Sequence, residues 1–213
     1  MDETFIPSRT RSYSACNRLP HGATVIFYSK SADADDLALG VPHWRKVLSN
    51  FHPVEIEVGG RRYPSVEHAF HAAKARCSNK PEVAAAFEIG GSVPANAAAA
   101  KKAGGRAGFA KMGATLDCAE WDRVRDDATM MALRARWLVD PLFRRILLAT
   151  RDLNLTLVHF ERGGGRSYWG GTVKAGGVVV GANTLGRMLM ELRDVQLPEG
   201  EGGIRRPNST NIE

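Results

Sequence analysis

"YPSVEHAFHAAKA", residues 63–75, is the stretch on which the reading of the fold turns. Pro64 cannot donate to a strand ladder, so a strand ends there, and Ser65 is a good N-cap for a helix beginning at Val66. The next residues form a short helix rich in alanine. Glu67 and Lys74 are seven apart and nearly eclipse on a 3.6-residue helix, with His71 about 40° round the same face. Taken alone, such a stripe reads as a solvated face carrying an ion pair. Its context favours the floor of a catalytic pocket. The alanines at 69, 72, 73 and 75 leave room for a ligand near the backbone. The helix also comes after a hairpin whose first strand is preceded by "LSNFHP", a turn loaded with Ser, Asn and an aromatic residue. Phe70 and Ala73 flank the stripe, where they can dock the helix on the body.

Upstream, "VEIEVGGRRYP" alternates apolar and charged residues around Gly59-Gly60, a hairpin signal. "ATVIFYS", 23–29, reads as the first strand, and "KSADADDLALGVPHW" as a polar connection or insertion. Downstream the chain turns mainly helical. "PEVAAAFEIG" and "PANAAAAKKAGG" are two short helices closed by glycine. "CAEWDRVRDDATMMALRARWLVDPLFRRILLAT" gives one long helix to about Leu138 and another begun by Pro141. "LTLVHFE", 155–161, reads as a buried strand. "VVVGANTLGRMLMELRDV" gives a strand, a glycine loop capped by Asn183, and a last helix with Leu185, Met188, Leu189 and Leu192 as a core face. The expected class is α+β: a mainly helical single domain over 23–196 with a small, mostly antiparallel sheet. A loose N-terminal arm at 1–22 and a disordered polar tail at 197–213 flank it.

The 213 residues suffice for one domain with a real core. With 44% hydrophobic and 24% charged residues, the composition is that of a soluble globular protein. No apolar run is long enough to cross a bilayer, and the N-terminus lacks a secretory signal core. Cys16, Cys77 and Cys118 are odd in number and widely spaced, which suits free thiols in a reducing compartment, cytoplasmic or nuclear. The net charge of +6 points to an anionic partner, although the basic residues are scattered.

Two further constellations bear on chemistry. In "HFERGGGRSYWGG", 159–171, a strand ends at Glu161 and a glycine loop carries Arg162 and Arg166 ahead of Tyr168, Trp169 and Gly170. Such a loop can cradle phosphate and its aromatic pair can sandwich a base; it reads equally as a flexible hairpin loop before a core tryptophan. In "GANTLG", 181–186, Asn183 stands at a helix N-terminus, where amides attract anions. Gly186 in the first turns costs about 1 kcal/mol against alanine, which close packing on a strand explains as well. GxSxG, HExxH and P-loop patterns are absent, and the histidines show no ligand spacing.

Taken together in chain order, "LSNFHP", "GGRRYPSVEHAFHAAKA", "ANAAAAKKAGGRAG", "EWDRVR", "LLAT", "VHFE", "SYWGG" and "GANTLGRMLMELR" resemble the NADAR (YbiA-like) family over roughly residues 24–195. One departure stands out: Arg166 occupies a place where many relatives carry an acidic residue. The resemblance implies an N-glycosidase, a hydrolase that releases ribose C1 from an exocyclic amine of a heterocycle. It implies two substrate lines: ADP-ribose on guanine in nucleic acid, and phosphoribosylated pyrimidine intermediates of riboflavin synthesis. The basic balance and the two loop arginines favour the first. A non-catalytic NAD or ADP-ribose binding module is the alternative from another class.

A glycosylamine can open to an imine, and a lysine amine can then displace the base nitrogen by transimination. Lys74 is assigned that step and Glu67 the proton transfers, so Lys74 is expected to be largely enclosed and not locked to Glu67. Direct hydrolysis with Glu67 as acid/base is the competing route. The resemblance places Asn50, Phe51 and His68 on the base side; His71, on the Glu67–Lys74 stripe, is a further candidate substrate-binding residue. By the same resemblance Trp121 and Trp169 are expected to stack on rings, Glu161 to bond ribose hydroxyls, and the glycine loop (Arg166, Gly170) with Asn183 to meet phosphate, with Tyr168 pairing with Trp169 around a base. No metal, cofactor or membrane is implied. The expected partner is ADP-ribosylated nucleic acid or a nucleotide-like small molecule.

Overall fold

The computed structural model describes residues 18–195. Most of the expected arm and all of the expected tail lie outside the described residues. Strand β1 (Thr24–Phe27) opens the fold, followed by a loop and the short helix α1 (Trp44–Val47). The loop is more than a polar connection. Asp35 accepts from the amides of Leu39, Gly40 and Val41, and Asp36 accepts from the indole of Trp44 and the guanidinium of Arg45. These bonds seat Trp44, which is fully buried.

The hairpin forms as the alternation requires: β2 (Ile56–Val58) and β3 (Arg61–Tyr63) pair antiparallel across Gly59-Gly60. Both glycines have positive φ, +59° and +73°, as a two-residue primed turn demands. Helix α2 (Val66–Arg76) comes next, with the Ser65 side chain accepting from the His68 amide. "PEVAAAF" is a 3₁₀ helix (Pro81–Phe87), and α3 (Ala97–Ala103) is capped by Asn96. Helix α4 (Arg106–Lys111) is not distinguished in the sequence. Helix α5 (Cys118–Val139) starts at an Asp117 cap and α6 (Pro141–Asp152) at an Asp140 cap with proline at its first position.

Strand β4 (Thr156–His159) pairs with β1 in parallel, Thr24 opposite Thr156 through Phe27 opposite His159. Strands β5 (Thr172–Val173) and β6 (Val179–Val180) form a second small antiparallel ribbon, and α7 (Thr184–Val195) packs on β4. The fold is α+β, and among the described residues its strands are spread over three two-stranded sheets instead of one. The central pair can be parallel because its strands are far apart in the chain, with the crossover through α1–α6 between them.

The core gathers Phe27, Trp44, Tyr63, Phe87, Phe143 and the apolar face of α7. Gly186 is explained by packing: a Cβ there would lie 2.3 Å from the Leu157 carbonyl. A buried ion pair closes the α5–α6 corner. Arg136, with no exposed surface, donates to Asp140 Oδ2 at 3.0 and 2.9 Å and to Ser49 O at 3.1 Å. Burial pulls its pKa down to about 10, against the opposing pull of Asp140. The third bond fixes the turn that carries Asn50 and Phe51.

Candidate active site

Helix α2 carries the central candidate residues. It buries Glu67, His68 and His71 among small residues, and its alanines at 69, 72 and 75 are buried against the body. His71 Nε2 donates to Glu67 Oε1 at 3.1 Å, so the carboxylate is oriented from within its own helix. Lys74 is half-buried one turn on. Its Nζ donates to the Gly104 carbonyl at 3.0 Å and lies 5.5 Å from the Phe109 ring centroid. Burial lowers its pKa from 10.5, opposed by the charges of Cys118 and Glu67. The two stripe residues therefore interact without an ion pair between them: Glu67 is held by His71 and Lys74 by a backbone oxygen.

Gly104 makes this arrangement possible. A Cβ there would fall 2.0 Å from His71 Nδ1, so only glycine lets the His71 ring lie against the end of α3 while its carbonyl reaches Lys74. His71 Nδ1 is buried with no hydrogen-bond partner in the structure.

His68 does not line the site. It has no exposed surface, and its ring is spent: Nδ1 meets the Ser65 hydroxyl at 2.8 Å and Nε2 donates to Pro94 O at 3.0 Å. The physical reason is periodicity, since one residue beyond Glu67 is about 100° round the helix. Its work is to tie the 94 loop to the start of α2.

The other candidate residues come from four places. The Asn50 carbonyl accepts from the Glu67 amide at 3.1 Å, which brings the Asn50–Phe51 turn to the head of α2; Asn50 Oδ1 is buried without a partner. Phe70 is the hub of an aromatic cluster, 5.1 Å from Trp121 and 5.3 Å from Trp169, both edge-on. Trp121 is only 7% exposed, so it supports Phe70 more than it offers a face of its own. Trp169 is half-buried. Glu161, beyond β4, accepts from the Ser167 hydroxyl and faces Lys101 Nζ at 3.7 Å.

The glycine loop is held from below. Tyr168 donates its hydroxyl to both oxygens of Asp126, at 2.8 and 2.6 Å, while the Arg125 guanidinium lies 3.6 Å over its ring. Arg166 is exposed at the end of a short 3₁₀ turn (Gly164–Arg166). The acidic group bonded to Tyr168 thus comes from α5, not from the loop. Gly170 acts by close approach: a Cβ there would meet Glu161 Cβ at 2.8 Å.

The expected phosphate site at α7 is already filled by protein. The amides of Thr184 and Leu185 donate to the carbonyls of Tyr168 and Trp169, and the Asn183 amide to Gly170 O. Asn183 does not cap α7 with its side chain. In a left-handed conformation (φ 47°) and 4% exposed, it accepts from the His159 amide at 2.9 Å and donates to Leu157 O at 2.8 Å. It clips β4 to α7.

Sequence reasoning missed Lys101, His159 and Asp126. His159 faces the same side of β4 as Glu161; burial lowers its pKa, opposed by the Glu161 charge, and its Nδ1 is unpartnered. Its signal was present in "VHFE", whose alternate residues share a face. Among the described residues no group of three or more His, Cys, Asp or Glu is placed to hold a metal ion, and no helix is long and apolar enough to cross a membrane.

The chain is similar to known proteins. The NADAR domain model matches residues 38–196. N-glycosidase YbiA of Escherichia coli is 30% identical over 177 residues, an alignment covering 79% of this chain and 85% of that protein. N-glycosidase YbiA of Shigella flexneri matches at the same identity and coverage. The NMR structure of the E. coli protein YbiA superposes with a TM-score of 0.56 at 27% identity, covering 84% of this chain and 88% of that one.

Proposed function

Because this chain belongs to the NADAR domain family, we propose that its general N-glycosidase role is exercised at the Glu67–Lys74 cleft, on ribose C1 bonded to an exocyclic amine. The single observation that carries the reading is Lys74: a half-buried amine, lowered in pKa by burial, anchored to a backbone oxygen and not to a carboxylate. An ion-paired lysine would stay charged; this one spends more of its time neutral at a given pH.

Those groups set the sequence of events. The glycosylamine ring opens, giving an imine between C1 and the base nitrogen. Neutral Lys74 Nζ adds to C1, and the base leaves as its free amine after accepting a proton. The resulting C1=Nζ Schiff base takes up water and collapses to the free sugar aldehyde and the amine of Lys74. Glu67, oriented by His71, relays the protons between Nζ, the departing nitrogen and water. The Phe109 ring gives Lys74 Nζ an apolar neighbour at 5.5 Å, and the Phe70–Trp121–Trp169 cluster offers Trp169 for stacking.

The substrate we favour is ADP-ribose attached to guanine in nucleic acid. The net charge of +6 and the exposed Arg162 and Arg166 on the glycine loop support a polyanion. Incubating the purified protein with an ADP-ribosylated guanine oligonucleotide and, separately, with a phosphoribosylamino-pyrimidine tests this. Release of free ADP-ribose from the oligonucleotide is expected. Turnover of the pyrimidine alone would move the protein to the small-molecule line, and tight ADP-ribose binding with neither activity would make it a binding module.

A further inference from the structure

Exposed Arg162 and Arg166 suit the outer charges of a polyanion, which leaves the phosphate next to the reacting ribose still to be met. The helix N-terminus that the sequence offered for it is occupied by the carbonyls of Tyr168, Trp169 and Gly170. Both substrate lines nevertheless share one anionic feature, a phosphate on C5 of the ribose that carries the scissile bond. Some cation within reach of that ribose must meet it.

Lys101 has the required position. It lies on α3, three residues before the carbonyl that holds Lys74. Its ammonium is 5.7 Å from the Phe51 ring centroid and 3.7 Å from Glu161 Oε1, so it spans the two walls of the cleft. The lysine side chain is 58% exposed, and at that exposure a long ion pair contributes about 0–1 kcal/mol. It is readily exchanged for a stronger anion. Glu161 does not lose its only partner in the exchange, because the Ser167 hydroxyl remains on Oε2. A phosphate oxygen accepting from an ammonium makes a charge-assisted bond, stronger than the one given up.

We propose that Lys101 binds the 5′-phosphate of the substrate ribose, leaving Glu161 for it as the sugar enters and so seating C1 over Lys74. The proposal rests on the N-glycosidase reading but not on the choice between its two substrates. It makes Lys101 a specificity residue for phosphorylated ribose, with no part in the proton transfers.

Calorimetric titration of the full-length protein with ribose 5-phosphate and with ribose tests it without relying on turnover. The wild type is expected to bind ribose 5-phosphate more tightly than ribose. Lys101→Ala should weaken ribose 5-phosphate by about tenfold or more and leave ribose unchanged, the scale of one charge-assisted hydrogen bond. Lys101→Arg should restore most of the loss. Lys102→Ala removes the same charge from the same helix and should have no such effect. Equal binding of ribose 5-phosphate by wild type and Lys101→Ala would overturn the proposal, as would an equal loss in Lys102→Ala. A Lys101-dependent preference in a protein that cleaves neither glycosylamine would instead overturn the proposed function and leave the phosphate contact standing.

Discussion

Helices α2 and α7 are nearly the same length, both are packed into the body of the domain, and they bury different things. On α7 the buried face is Leu185, Met188, Leu189 and Leu192, and its buried Arg193 is satisfied by Thr150 and Asp194. On α2 the buried face includes Glu67, His68 and His71, with a ring nitrogen of His71 left unpartnered. Burying unpaired hydrogen-bonding capacity is unfavourable, by about 1–3 kcal/mol for each unsatisfied group. A fold that only needed a helix at that place would fill it as it filled α7. On the function proposed above, the difference sets α2 apart as the element shaped by chemistry and α7 as the element shaped by packing.

That contrast breaks first at Lys74. Lys74→Ala is expected to lower turnover by about 10⁴-fold or more while leaving the melting temperature near that of the wild type, since the deletion removes a desolvated charge. Near-normal kcat in that variant would erase the distinction between the helices. Glu67→Gln keeps the shape and the bond from His71 but removes the relay, and kcat should fall by about 100- to 10,000-fold. Steady-state kinetics on either glycosylamine reads both.

On α7 the pattern should invert. Leu189→Ala, at a fully buried position, is expected to cost about 2–5 kcal/mol in denaturant unfolding, with kcat per folded molecule unchanged. Gly104→Ala sits between the two behaviours. Its methyl group would collide with the His71 ring, so a loss of about 1–3 kcal/mol in stability should come with a fall in kcat, because the carbonyl that holds Lys74 must shift. The smallest effect is in pH. Lys74 acts as a neutral amine and burial lowers its pKa, so kcat/KM should rise with pH along a limb centred below 10.5, the ordinary lysine value. A limb at or above 10.5 would place the amine in open water.

The stripe on α2 was legible because a helix repeats: residues at i, i+4 and i+7 share a face whatever surrounds them. The Gly59-Gly60 hairpin and the Asp140–Pro141 break were legible for the same reason, each being written in adjacent residues. What depends on distant segments was not. Nothing local to "TVIF" says that it pairs in parallel with "TLVH" more than a hundred positions later. Asn183 reads as a cap from its neighbours and is a clip in the fold, because β4 supplies better partners than the helix amides. Lys101 and Asp126 look like ordinary surface charges until α3 and α5 bring them to Glu161 and Tyr168. His68 was given to the base side by the family resemblance, whereas the helical rotation turns its ring toward Pro94.

The central claim is that a carbon–nitrogen bond forms between ribose C1 and Lys74. Reducing a turnover mixture with borohydride and mapping the product by mass spectrometry tests it most directly. The account predicts a stable sugar adduct on Lys74 that vanishes in Lys74→Ala. An enzyme that turns over its glycosylamine under those conditions with Lys74 unmodified would contradict it and leave direct hydrolysis by Glu67.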